Sequence, residues 1–146
     1  MSKKYELTNE TKTLEGGTVL HRIRALRDIP RFCVKAGELG GFVEGEINLS
    51  QDGDAWVYGN ACVYGNANVE NGHDYFVAKN TWSSLRWFTY TRSNKKWAVG
   101  CFYGTGEELI KKAYADSELS GRCYEAIVRA VETIEAAKAE AKGGTK

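Results

Sequence analysis

A single proline, Pro30, stands in a chain of 146 residues that carries 16 glycines. Plentiful glycine with almost no proline describes many tight turns, and it excludes a disordered linker or a collagen-like repeat. No apolar run approaches the roughly 18–20 residues of a membrane span, so no membrane-embedded protein is expected. Met1–Leu7 has no apolar segment of signal-peptide type, so no secretory leader is expected. The four cysteines, 33, 62, 101 and 123, are never closer than 22 residues, which leaves no Cys-x-x-Cys and no zinc spacing. The two histidines, 21 and 73, are isolated. No metal site and no cofactor are expected, and the cysteines read as reduced, mostly buried thiols of a cytoplasmic protein.

What is there is enough for a core. The length suits one ordinary domain or two very small ones. Hydrophobic residues are 42% and charged residues 27%, a soluble globular balance. The net charge is only +1 but is segregated: residues 1–36 sum to +4, 37–73 to −6, 74–104 to +4 and 105–146 to −1. An acidic strip between two basic segments reads as attraction within the molecule, or as a surface for a charged partner.

Residues 54–71 repeat with a period of six: Asp-Ala-Trp-Val-Tyr-Gly, Asn-Ala-Cys-Val-Tyr-Gly, Asn-Ala-Asn-Val-Glu-Asn. Ala55, Ala61 and Ala67 align, as do Val57, Val63 and Val69, while Gly53, Gly59 and Gly65 keep the register. Asn48 extends it weakly upstream. A six-residue unit of short strand plus turn cannot bury its apolar face alone, and stacking would bury a shared column. β-Branched valine points inward, alanine fills tight corners, and glycine with Asn or Asp takes the turns. Trp56, Tyr58 and Tyr64 then point outward as an aromatic ladder, expected at an interface.

The flanks read differently. Tyr5–Thr8 and Thr18–Leu26 are expected strands turned by Gly16-Gly17, with Arg22 and Arg24 on one face and His21 and Ile23 on the other. Gly37, Gly40 and Gly41 mark a corner into the repeat. Asp74–Lys79, Leu85–Arg92 and Lys96–Tyr103 read as three strands, with a hairpin at Ser93-Asn94. Thr105-Gly106-Glu107-Glu108 is a capping box opening a helix to about Asp116. Glu107–Lys111 and Glu108–Lys112 are expected i,i+4 pairs. A second helix starts at Ser117–Ser120 with a buried stripe of Tyr124, Ile127, Val128, Val131 and Ile134.

The repeat resembles the hexapeptide, left-handed β-helix family over roughly residues 38–72. The whole arrangement also resembles a group of small phage- and prophage-encoded proteins. The likeness is carried by Tyr5–Thr11, Leu20–Leu26, Leu39–Glu44, Asn48–Gly65 and Gly100–Leu109. It implies a fold, a viral origin and a bacterial host cytoplasm, and little chemistry. The fold expected is α+β. A short left-handed β-helix-type solenoid with an N-terminal β cap fills 1–72. A three-stranded sheet plus two helices, β-β-β-α-α, fills 73–140, and 141–146 is a frayed tail.

No catalytic constellation stands out, and the chain reads as non-enzymatic. His73 is the one histidine near the repeat and lacks a visible partner, which argues weakly for a hexapeptide acyltransferase and more for a structural role. Cys101 precedes Gly104-Thr105-Gly106 and a helix start, read either as a buried strand cysteine or as a reactive thiol beside an anion site. The Gly-Thr-Gly lacks the lysine of a P-loop. Arg86, Phe88, Tyr90 and Arg92 share one strand face, with Lys95 and Lys96 following. Phe88 and Tyr90 are read as interface, and Arg86, Arg92, Lys95, Lys96, Gly104, Thr105 and Gly106 as ligand or anion contacts. The expected function is a self-associating binding protein that inhibits a host protein, plausibly a defence or CRISPR component, without membrane contact. The alternative is a small-ligand binder such as a sponge for a nucleotide signal, or a nucleic-acid contact.

Overall fold

The computed structural model describes residues 3–14, 16–71, 74–100 and 102–144. Strands β1 (Tyr5–Thr13) and β2 (Val19–Ala25) form an antiparallel hairpin, and β3 (Leu39–Val43) pairs antiparallel with β2. β4 (Cys62–Val63) adds to β3 in parallel, completing a sheet ordered β1-β2-β3-β4. A second sheet, β5-β6-β7-β8, is an antiparallel meander of β5 (Tyr75–Lys79), β6 (Trp87–Thr91), β7 (Lys96–Val99) and β8 (Phe102–Gly104). Helices α1 (Gly106–Asp116) and α2 (Glu118–Gly144) follow.

This corrects the expected solenoid. The molecule is α+β with two four-stranded sheets, neither closed nor curled. The hexads do turn every six residues, with Gly53, Gly59 and Gly65 all at positive φ, and Ala55, Val57, Ala61, Val63, Ala67 and Val69 all point into the core. They have nothing of their own kind to stack on. Among the described residues their ladder partners lie in β3 and just beyond it, at Phe42–Cys62, Val43–Val63 and one bridge from Leu49 to Val69. Since β3 is already committed to β2 on its other edge, the repeat becomes the margin of a mixed sheet. Gly40 and Gly41 permit this close approach. A Cβ on Gly40 would stand 2.6 Å from the Val57 carbonyl oxygen, and one on Gly41 2.6 Å from that of Ala61.

The odd-numbered face of β2 and β3, with Ile23, Ala25 and Val43, closes on the hexads, Tyr5 and Trp56. Burial of such side chains stabilises the fold by roughly 1.5–3 kcal/mol each. Two polar anchors tie the chain start to this core. Tyr5 Oη donates to the Leu49 carbonyl at 2.5 Å, and the fully buried Lys4 Nζ donates to that of Ala55 at 2.5 Å. Burial pushes the Lys4 ammonium down to about 8, with Arg27 adding to the shift.

The opposite face, with Leu20 and Phe42, meets the second sheet through Ala98 and Tyr103. The Cys62 amide donates to Thr89 Oγ1 at 3.0 Å, and Tyr75 Oη to the Trp56 carbonyl at 2.9 Å. Beyond the second sheet lie the helices, whose Leu109, Ile110, Ala113, Tyr124, Val128 and Val131 cover Phe88, Tyr90 and Trp97. Thr105 and Glu108 form the expected capping box. The i,i+4 pairs do not form: Glu107 reaches Arg129 of α2 at 2.6 Å and Glu108 is taken by the cap. Ile134 is exposed rather than buried. The third expected strand, Lys96–Tyr103, breaks at Gly100 (φ 56) into β7 and β8. Helix α2 runs to Gly144, into the segment expected as tail, and residues 145–146 lie outside the described residues.

Candidate ligand cleft

Four of the five expected interface aromatics lie in the core. Trp56, Tyr64, Phe88 and Tyr90 are buried, and only Tyr58 keeps 39% of its surface. The inference from inward valines to outward tyrosines fails because a second sheet covers the outside of the repeat. Tyr64 stacks on Tyr103 with ring centroids 4.5 Å apart, and Trp56 fills the space beside Gly40. Tyr58 Oη donates to the Phe32 carbonyl at 2.9 Å.

Most of the expected anion contacts are likewise occupied. Arg92 Nε binds Glu135 at 2.9 Å, with Asp74 at 3.9 Å from its guanidinium. Lys96 Nζ stands 5.4 Å from the Tyr103 ring. Lys95 lines a recess beside Glu132 and Glu135 of α2. The helix start at Gly104-Thr105-Gly106 is filled by its own cap: Thr105 Oγ1 accepts from the Glu108 amide at 3.2 Å, and Glu108 Oε1 accepts from the Thr105 amide at 2.8 Å. A carboxylate already holds the position where a bound anion would gain from the helix dipole. Its hydrogen bonds hold the Glu108 carboxyl below the usual range. His73 and Cys101 lie outside the described residues. Among the described residues no cluster of three or more His, Cys, Asp or Glu side chains could hold a metal ion.

Of that set, Lys95 and Gly106 line the recess shared with Glu132 and Glu135, and Arg86 lines a second, larger one with no carboxylate in its described lining. A cleft of about 680 Å³ lies where the exposed end of the first sheet faces the start of β6. Lys12 of β1, Arg22 of β2 and Phe42 of β3 form one bank, with Asn60 of the hexad turn; Leu85, Arg86 and Trp87 form the other. Pairing sets the first bank. Arg22 lies opposite Phe42 in register, and its guanidinium carbon sits 4.4 Å from the phenyl centroid. Arg22 Nε binds Glu10 at 2.8 Å, Nη1 donates to the Gly40 carbonyl at 2.7 Å, and Nη2 to Asn60 Oδ1 at 3.3 Å. Lys12 Nζ is 5.8 Å from the same phenyl centroid and 3.8 Å from Cys62 Sγ. Burial pushes the Cys62 thiol up, against the pull of Lys12 and Arg22.

The second bank depends on the backbone. Leu85 is left-handed, at φ 61. Strand alternation would send residue 86 away from 85 and 87, and the break at Leu85 lets all three line one cleft. Arg86 makes no ion pair among the described residues. Sequence reading singled out Arg86 but not Lys12, Arg22 or Trp87. The shared face of Arg22 and Arg24 was the available signal, and it lacked the register that brings Phe42 and Lys12 alongside.

No described helix is long and apolar enough to cross a membrane. Compared with protein-family models, curated proteins and solved structures, the chain matches none.

Proposed function

We propose that the chain is a non-catalytic binding protein whose working site is the cleft between its two sheets, and that the cleft holds a small anion-bearing molecule. One observation carries this reading. Three cationic side chains, Lys12, Arg22 and Arg86, converge on about 680 Å³ whose described lining includes no carboxylate. Like charges gathered in a concave, half-desolvated site repel one another, and an anion relieves that repulsion. The volume falls within the roughly 300–1,000 Å³ of small-molecule sites.

Calorimetric titration with pyrophosphate at low salt tests the reading. The expected result is saturable binding that weakens as salt is raised, with a gain in fold stability of about 2.7 kcal/mol at one hundred times Kd. Arg86→Glu reverses the charge of a cation that has no ion pair among the described residues and is expected to abolish binding. Unchanged affinity in that variant refutes the reading.

Inhibition of a host protein ranks second. Of the aromatic ladder that would carry it, Trp56 and Tyr64 are buried and Tyr58 is exposed, while the segregated charge remains. Capture of a host protein that Arg86→Glu and Trp87→Ala leave intact, with no anion bound, would favour it.

A further inference from the structure

We propose that the anion is the phosphate of a nucleotide, and that its base lies on the indole of Trp87. This deepens the ligand-cleft reading and rests on it.

The indole is the first ground. Trp56 and Trp97 are packed inside the two cores. Trp82 is held by Ser120 through its Nε1 at 3.2 Å and by edge contacts with Phe88 and Tyr124. Trp87 opens β6 at the cleft, keeps 44% of its surface, and meets no other ring among the described residues. A flat, half-exposed indole beside cations suits a flat ring that carries negative charge. Any base can stack on it, since every base has a π-face.

The division of labour among the cations is the second ground. Arg22 is committed to Glu10, Gly40 and Asn60, so it stiffens the floor and adds field but few free donors. Arg86 has no ion pair among the described residues, and the nearest polar partner of Lys12 Nζ is a sulfur at 3.8 Å. Lys12 and Arg86 therefore stand on opposite banks with donors to spare for a phosphate group between them. Asn60 Oδ1 is taken by Arg22, which leaves its amide NH2 for a sugar hydroxyl or base edge.

The third ground is strain. Leucine at φ 61 is costly where asparagine or glycine would not be, and such residues gather at ligand sites. Here the strained residue is the one that turns Arg86 and Trp87 into the same cleft. One exposed indole serves one base. A long single strand would need a run of such platforms.

The test titrates the full chain with the four common ribonucleoside monophosphates, ribose 5-phosphate, adenosine and pyrophosphate, read by calorimetry and tryptophan emission. At least one nucleotide is expected to quench emission and to bind on the order of tenfold tighter than ribose 5-phosphate. Trp87→Ala is expected to lower that nucleotide to the ribose 5-phosphate level and to leave pyrophosphate affinity unchanged, while Trp87→Phe restores part of the advantage. An unchanged circular dichroism spectrum confirms that the variants fold. Pyrophosphate binding with no nucleotide advantage, or an advantage that survives Trp87→Ala, overturns the nucleotide and leaves the anion cleft standing. Loss of all binding overturns both. Binding of a twenty-nucleotide single strand but of no monophosphate also overturns the nucleotide assignment.

Discussion

Raising the pH from 7 to 9.5 should make this protein more stable through Lys4, opposite to the usual alkaline trend. Lys4 is fully enclosed and its ammonium is held by the carbonyls of Ala55, at 2.5 Å, and Asp52, at 3.4 Å. Desolvation outweighs those bonds and brings it from 10.5 to about 8. Between those values the unfolded chain binds the proton and the folded chain does not. Stability therefore rises with pH across that window, and the full penalty applies below it. At pH 7 the penalty is about 3 kcal/mol, and by pH 9.5 about 2 kcal/mol of it has gone. In urea unfolding that is a midpoint shift of roughly 1 M, for a slope near 2 kcal/mol per molar. Other groups titrate nearby. The buried Cys62 thiol is pushed up, so it loses stability as pH climbs past its unfolded value, and Tyr75, pushed up to about 12 by burial, does so above pH 10. Comparison with Lys4→Met cancels these terms. The wild type is expected to gain about 2 kcal/mol relative to Lys4→Met between pH 7 and 9.5. If the two proteins move in parallel, Lys4 is not a buried cation in the fold and the reasoning is wrong.

The remaining expectations are simpler. Gly41→Ala puts a methyl 2.6 Å from the Ala61 carbonyl and 2.7 Å from Val57 Cγ1, and thermal unfolding should show a loss of about 1–3 kcal/mol or more. Thr105→Ala removes the helix cap and should cost about 1 kcal/mol by the same assay. Leu85→Asn relieves a left-handed leucine; a gain of up to about 1 kcal/mol on unfolding is expected. Pulse alkylation followed by mass mapping should modify exposed Cys33 before Cys62, whose thiol burial pushes up.

Local signals were legible wherever the answer is local. The capping box at Thr105 and Glu108, the strand of Tyr75–Lys79 and the inward Ala and Val of the hexads follow from spacing and side-chain chemistry alone. The period of six in the sequence coincides with left-handed Gly53, Gly59 and Gly65. It reports the winding of one chain segment and not what that segment leans on. The partner was β3, and two glycines that read as a corner were the sign of its close approach. The aromatic residues were misread for the same reason. Tyr64 looks exposed until Tyr103 of the second sheet is laid against it, and Trp56 until Gly40 makes room for it in the first core. The cleft was beyond the sequence because Lys12, Arg22, Arg86 and Trp87 meet only through register and through a backbone break at Leu85.

The anchors at Lys4 and Tyr5 reach across 51 and 44 residues of chain. Their partners are synthesised long after them. The hairpin of β1 and β2 is made before the turn at Asp52–Ala55, and Lys4 has no carbonyl to bind until that turn has followed. A clipped or fused N-terminus would act at a distance, because removing Lys4 and Tyr5 unfastens the turns of the repeat while leaving their own sequence whole.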